Sequence, residues 1–184
     1  MLNNKKLIKP LRIAVSGKSG CGNTTASRLL AEQLGINFIN YTFRNLAHDK
    51  GLSFEEIRRL AETDDAIDRE LDRHQIALAM QSSCVLASRL AVWMLKEADL
   101  KVYLDISLAE RARRIHCREN GTFEDKLEET MRRDQLDHDR YQRIYHIDND
   151  SFASAANVII NDDTLSADEI ASLIISKIPT AYFE

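Results

Sequence analysis

The sequence predicts an α/β fold, a parallel sheet with helices packed on both faces. Three observations lead to this. Short, continuous apolar runs recur along the chain, and stretches with helical spacing separate them. The runs do not alternate apolar with polar, which is the mark of strands buried on both faces. A glycine-rich turn joins the first run to the first helical stretch. In such doubly wound folds ligands sit at the carboxyl ends of the strands.

The elements follow in order. LRIAVS (Leu11 to Ser16) reads as the first strand, and Thr24 to Leu34 as a helix that stops at Gly35. INFI (Ile36 to Ile39) is a second strand. Thr42 to Met80 is helical, broken near Gly51 and near Thr63, with Ser53 and Glu56 forming a capping box. CVLA (Cys84 to Ala87) and KVYLDI (Lys101 to Ile106) are further strands. Ser107 and Glu110 form a second capping box, opening a helix to about Arg118. Thr122 to Tyr145 is a long, charged helix or helix pair. NVII (Asn157 to Ile160) is the last strand, and Ser166 to Ile178 a closing helix.

Composition bounds the function. The 184 residues suit a single domain, 1–184. A net charge of -4 argues against a general nucleic-acid binder. No apolar run reaches the roughly 18 residues that span a bilayer. The N-terminal Lys5, Lys6 and Lys9 precede only a short apolar run that enters the glycine turn, so no signal peptide is expected. The expectation is a cytoplasmic protein that contacts neither membrane nor nucleic acid. Cys21, Cys84 and Cys117 are unclustered, and buried or half-buried free thiols are expected.

The strongest motif is Gly17-Lys18-Ser19-Gly20-Cys21-Gly22-Asn23-Thr24-Thr25. It follows a strand and opens a helix, as a phosphate-binding loop must. Glycines let the backbone turn its N–H groups inward, and the helix N-terminus adds partial positive charge. Thr24 holds the position whose hydroxyl reaches Mg²⁺. Asn23 stands where the pattern has lysine, a loss of charge worth about 3–4 kcal/mol in a transition state. Lys18 is the candidate to compensate.

Phosphoryl chemistry needs cations converging from separate segments, because guanidinium groups clamp phosphates bidentately. Arg44 follows the second strand and Arg89 the third. Arg111, Arg113, Arg114 and Arg118 lie on the helix after the fourth. Arg133, Asp137 and Arg140 share one face of the long helix. Taken singly, each is equally a surface ion pair. The five histidines show no metal-ligand spacing, and Trp93 and Met94 read as core. By spacing alone Asp68, Asp72 and Arg73 read as a salt-bridged helix face.

SGKSGCGNTT, NYTFRNLAHDKGLSFEEI, DDAIDRELDRHQ, VLASRLAVWM, ADLKVYLDISLAERARRI and RRDQLDHDRYQRIYHID occur in this order. Together they resemble cytidylate kinases, especially the compact archaeal-type and related bacterial forms. The resemblance implies a P-loop three-layer α/β/α fold with a five-stranded parallel sheet. It implies a helical insert for the nucleoside monophosphate (NMP) at about 40–83 and a short lid at about 114–135. The implied reaction is phosphoryl transfer from ATP, with Mg²⁺, to CMP, with dCMP and UMP as further acceptors. Gly17 to Thr25 would then hold the ATP phosphates, and Lys18, Arg114, Arg118 and Arg133 would serve catalysis. Arg44 would contact the acceptor phosphate and Arg89 the cytidine nucleotide. Arg133 and Arg140 would bind phosphate, and Asp137 the ribose.

The chain departs from the family pattern twice. Asn23 replaces the loop lysine, although archaeal-type members already carry threonine there. Ala87-Ser88-Arg89 replaces an acidic residue, glycine and arginine, with Asp105 the candidate stand-in. Two other readings stay open: a regulatory nucleotide-binding protein with weakened catalysis, and a kinase for another small phosphate acceptor. Small size and the need for lid motion predict a monomer.

Overall fold

A computed structural model describes residues 7–161 and 163–184. Lys5 and Lys6 therefore lie outside the described residues. Five parallel strands form one sheet in the order β2-β3-β1-β4-β5. They are β1 (Arg12–Gly17), β2 (Asn37–Ile39), β3 (Cys84–Ala87), β4 (Leu100–Leu104) and β5 (Val158–Ile160). β1 sits at the centre, where the chain's path passes from one half of the sheet to the other. That is where doubly wound sheets open a crevice.

Both faces are covered, which is why the strands are apolar throughout. On one face Ile13, Val15, Val85 and Val102 pack with Leu30 of α1 (Asn23–Leu34) and Ile170 and Ile174 of α8 (Ala167–Lys177). On the other, Ala14, Leu86 and Tyr103 pack with Val92 and Leu95. Tyr103 stacks on Phe152 at 4.0 Å between ring centroids, and Trp93 meets its edge at 6.0 Å. Three helices between β2 and β3 share a small apolar cluster of their own, with Leu46, Ala47, Ile57 and Leu71 at its centre. They are α2 (Phe43–Asp49), α3 (Phe54–Thr63) and α4 (Ala66–Ala79), and the breaks fall near Gly51 and Thr63 as expected.

Two local readings change and one open alternative is settled. A four-residue helix, α5 (Ala91–Met94), follows β3 and is too short to show a period in sequence. Thr122 to Tyr145 is one continuous helix, α7 (Phe123–Tyr145), started by a Thr122–Asp125 capping box. Ser107 caps α6 (Leu108–His116) through its side chain, but Glu110 does not close the box. Glu110 turns to Arg113 and Arg114 instead, and Asp163 takes both the Ser107 N–H and its hydroxyl. The Ser53–Glu56 box is present. Cys21 and Cys84 are buried, whereas Cys117 is exposed.

One side chain fixes the glycine loop against the rest. Arg111 of α6 is 3% exposed. Its guanidinium donates to the Ile106 carbonyl after β4 (3.1 Å), to the loop carbonyl of Ser19 (2.9 Å) and to Asp134 of α7 (2.6 Å). Breaking a buried pair strands the remaining charge, at a cost of about 3–5 kcal/mol. Arg111→Met is expected to lose about that much stability in urea unfolding. A loss under about 1 kcal/mol would show that the contact is not a brace.

Candidate functional site

The loop from Gly17 to Thr25 lies at the carboxyl end of β1 and wraps the start of α1. Its glycines are required where the chain is crowded. A Cβ at Gly17 would stand 2.6 Å from the Cys21 sulfur and 2.8 Å from the Leu104 carbonyl oxygen. Gly20 and Gly22 hold φ of 85° and 90°, which a side chain would strain. α1 has no side-chain cap and no acid in its first turn. Its first N–H groups therefore remain available to an anion, and the helix dipole favours one. Burial pushes the Cys21 thiol up, so it stays neutral beneath the loop.

The Asn23 side chain is committed within the protein. Its amide donates to the carbonyls of Val15 (3.0 Å) and Ser88 (3.4 Å), and its oxygen accepts from Ser27 (2.9 Å). It ties β1 to the segment after β3 and leaves only its backbone N–H for a phosphate. Thr24 and Thr25 are exposed in the cleft.

The cations divide into braces and free groups. Arg114 donates to the loop carbonyl of Cys21 (2.9 Å), to the Asp163 carbonyl (3.1 Å) and to Glu110 (2.7 Å). It supports the loop from behind rather than reaching over it. Arg113 pairs with Glu110 at the surface, and the two arginines hold Glu110 down at about 2. Arg118 lines the cleft with its Nε on the Arg114 carbonyl. Lys18 also lines the cleft, but its ammonium sits 2.5 Å from Asp150 and 4.0 Å from Asp134. Asp150 and Asp148 flank His138 at 3.4 and 3.7 Å. Nothing in the sequence spacing pointed to Asp150 as the partner of Lys18.

A cleft of about 320 Å³ runs from this loop to Asn40–Phe43, Asp68, Asp72, Gln75, Arg89 and Tyr141. Arg89 pairs with Asp137 across the gap to α7 at 2.8 Å. The neighbouring Tyr141 and Asp137 hold that guanidinium firmly protonated. Arg140 pairs with Asp68 at 2.5 Å and donates to the Ala61 carbonyl, and its Nε has no hydrogen-bond partner among the described residues. So Arg89 and Asp137 come together, whereas Arg140 turns to Asp68, and neither Asp137 nor Arg140 is among the residues lining the cleft. Arg133 and Arg44 do not join them: Arg133 is exposed, and Arg44 stacks on Phe54 at 4.2 Å. Neither lines the cleft. Asp105 is not among the lining residues either; it takes a hydrogen bond from Asn161 after β5.

The α4 face was underrated in sequence. Asp68, Asp72 and Gln75, four and three residues apart, line one wall, while Arg73 points to solvent. Burial pushes Asp72 up to about 6, against the opposing effect of a hydrogen bond from Tyr145 at 2.5 Å. Asp68 adds to the rise and Arg140 reduces it.

A five-stranded parallel sheet with a glycine loop between its central strand and α1 defines a P-loop α/β protein. Solved structures share the fold. A shikimate kinase from Bacteroides thetaiotaomicron superposes with a TM-score of 0.63 over 90% of this chain and 96% of that one, at 17% identity. An uncharacterized protein from Eubacterium ventriosum reaches 0.67 over 92% and 98%, also at 17% identity. Sequence narrows the class. Residues 12–164 match the cytidylate kinase-like family. Cytidylate kinase 2 of Borreliella afzelii is 43% identical over 171 residues, 91% of this chain and 96% of the relative. The cytidylate kinase of Pyrococcus horikoshii is 37% identical over 166 residues, 89% and 86%. The chain belongs to the cytidylate kinase-like family.

An acid whose folded value lies above its unfolded one binds its proton more tightly when folded. Asp72 therefore contributes stability below about pH 4 that is lost as pH rises through about 6. Asp72→Asn should remove that dependence. Its stability relative to wild type is expected to improve by ~1–3 kcal/mol between pH 4 and 7, measured by denaturant titration. A constant difference across this range would show that Asp72 titrates normally.

Proposed function

We propose that this protein transfers the γ-phosphoryl group of ATP to CMP, giving CDP and ADP, with dCMP and UMP as poorer acceptors. The observation that carries the reading is one continuous cleft, with the glycine loop at one end and Asp68, Asp72, Gln75 and Arg89 at the other, where Arg140 and Asp137 pair with Asp68 and Arg89 from outside the lining. Such a cleft suits two anionic substrates held in line, which is most of what phosphoryl transfer asks of a protein. The family membership supplies the acceptor's identity.

In this reading ATP phosphates lie on the N–H groups from Gly17 to Thr25. Arg111 and Arg114 add positive charge from behind the loop without touching the nucleotide. Lys18 exchanges Asp150 for a phosphate oxygen and takes the charge role of the missing loop lysine. Arg118, exposed at the rim, closes over the transferring group. Mg²⁺ prefers oxygen donors and keeps few protein ligands, which the exposed Thr24 hydroxyl fits. Bound there with ATP, the ion would neutralise charge on the phosphate oxygens.

At the other end Arg89 and Arg140 hold the acceptor phosphate, and Asp137 the ribose. The helices at about 40–83 form the NMP-binding insert and residues at about 114–135 the lid of a single domain, 1–184. Their closure brings the exposed Arg44 and Arg133 to the acceptor and excludes water, so that ATP is not hydrolysed. The acceptor phosphate is already ionised at neutral pH, so no general base is needed. We propose that the chain works as a monomer. Among the described residues no helix is long and apolar enough to cross a membrane.

A coupled assay of ADP release with ATP, Mg²⁺ and each nucleoside monophosphate tests the reading. Strong turnover with CMP is expected, and no turnover with any acceptor would reject it. Lys18→Ala is expected to lower kcat by roughly 10²–10³, as removal of other electrostatic stabilisers does, with folding unchanged. Full activity in that variant would take Lys18 out of the mechanism.

A further inference from the structure

Gln75 is 3% exposed and lines the acceptor end of the cleft. Its Nε2 donates to Asp72 Oδ1 at 3.1 Å, while its Oε1 meets no hydrogen-bond partner among the described residues. The other Asp72 oxygen accepts from the Tyr145 hydroxyl at 2.5 Å. An ionised carboxylate can only accept. It therefore dictates which way the amide faces: nitrogen toward Asp72, oxygen away from it. Turning the amide over would set two acceptors against each other. Folded proteins pair nearly all buried polar atoms, so a bare acceptor beside a ligand cleft calls for a donor from the ligand.

We propose that Gln75 is the specificity-determining residue of the acceptor site, its Oε1 accepting a hydrogen bond from the exocyclic amino group of a pyrimidine base, with Asp72 as the positioning residue. This rests on the reading of the cleft as a CMP site. Cytosine carries an amino group where uracil carries a carbonyl oxygen. Opposite Gln75, cytosine forms a hydrogen bond, and uracil places acceptor against acceptor. Sites built to bond a substrate N–H reject analogues that lack it far more strongly than apolar pockets reject a missing methylene. Tyr145 of α7 buttresses Asp72, so the base reader is spread over two helices that only the fold brings together.

The test compares CMP with UMP on the full chain, by kcat/KM and by titration calorimetry without ATP. Wild type is expected to favour CMP at least tenfold in both. Gln75→Met keeps the length and removes the acceptor. It should lower kcat/KM for CMP at least tenfold and leave UMP unchanged or improved, since the clash of two acceptors is gone. Asp72→Asn can donate to the Gln75 oxygen and release the amide to turn over. It should narrow the CMP preference while Gln75 itself is intact. Equal losses for both nucleotides in Gln75→Met, or an undiminished preference, would overturn the proposal and assign Gln75 to packing or to a buried water. A wild type without preference would also overturn it. CMP binding above UMP with no turnover of either would uphold the base reader and reject the kinase reading. No binding of either nucleotide would reject both.

Discussion

The site depends on how a buried arginine holds a loop. Arg111 reaches from α6 to the Ser19 carbonyl, to the end of β4 and to Asp134 on α7. A glycine-rich loop with two residues at positive φ has little intrinsic rigidity. Its carbonyls must point away from an anion if its N–H groups are to point toward one. Arg111 and Arg114 take the Ser19 and Cys21 carbonyls from behind. The same contacts fix α6, and through Asp134 they fix α7 against the loop. The placement of Asp137 and Arg140 on α7 follows from that.

This bracing also bears on the missing lysine. Asn23 occupies the lysine position, yet its amide is committed to β1 and to the Ser88 carbonyl. The position serves the frame, and positive potential comes from guanidinium groups beneath the loop. A charge held in a fixed, partly dry setting acts more strongly than one in water. Lys18 lines the cleft with its ammonium paired to Asp150. At the opposite end charges are mostly paired within the protein, with Arg89 on Asp137 and Arg140 on Asp68. An anion entering there competes with carboxylates, which favours ligands that can satisfy several groups together.

Much of the fold was legible along the chain, because buried parallel strands are short apolar runs and helices repeat at 3.6 residues. The glycine loop was legible because its geometry demands particular residues at particular spacings. α5 escaped because four residues show no period. Glu110 was read as a cap partner because spacing cannot say that Asp163, 56 residues away, would take Ser107 first. The DRELDRHQ stretch looked like a solvated, charged face. Its charged majority hid Asp68, Asp72 and Gln75, whose spacing of four and three was the available signal.

By itself the sequence determined the strands, the helices, the phosphate loop and the arginine-rich character of the site, since local geometry and hydrophobic periodicity are written in adjacent residues. The tertiary structure alone decided which charges are braces and which are free. Arg114 and Asn23 turned inward, Arg118 stayed at the rim, and Gln75 was left with an oxygen unpaired among the described residues. The Arg114 contacts and the Asn23 contact with Ser88 reach partners tens of residues distant. A hydrogen bond or ion pair is made by proximity in space, and only the packing of α4, α6 and α7 around the sheet supplies it.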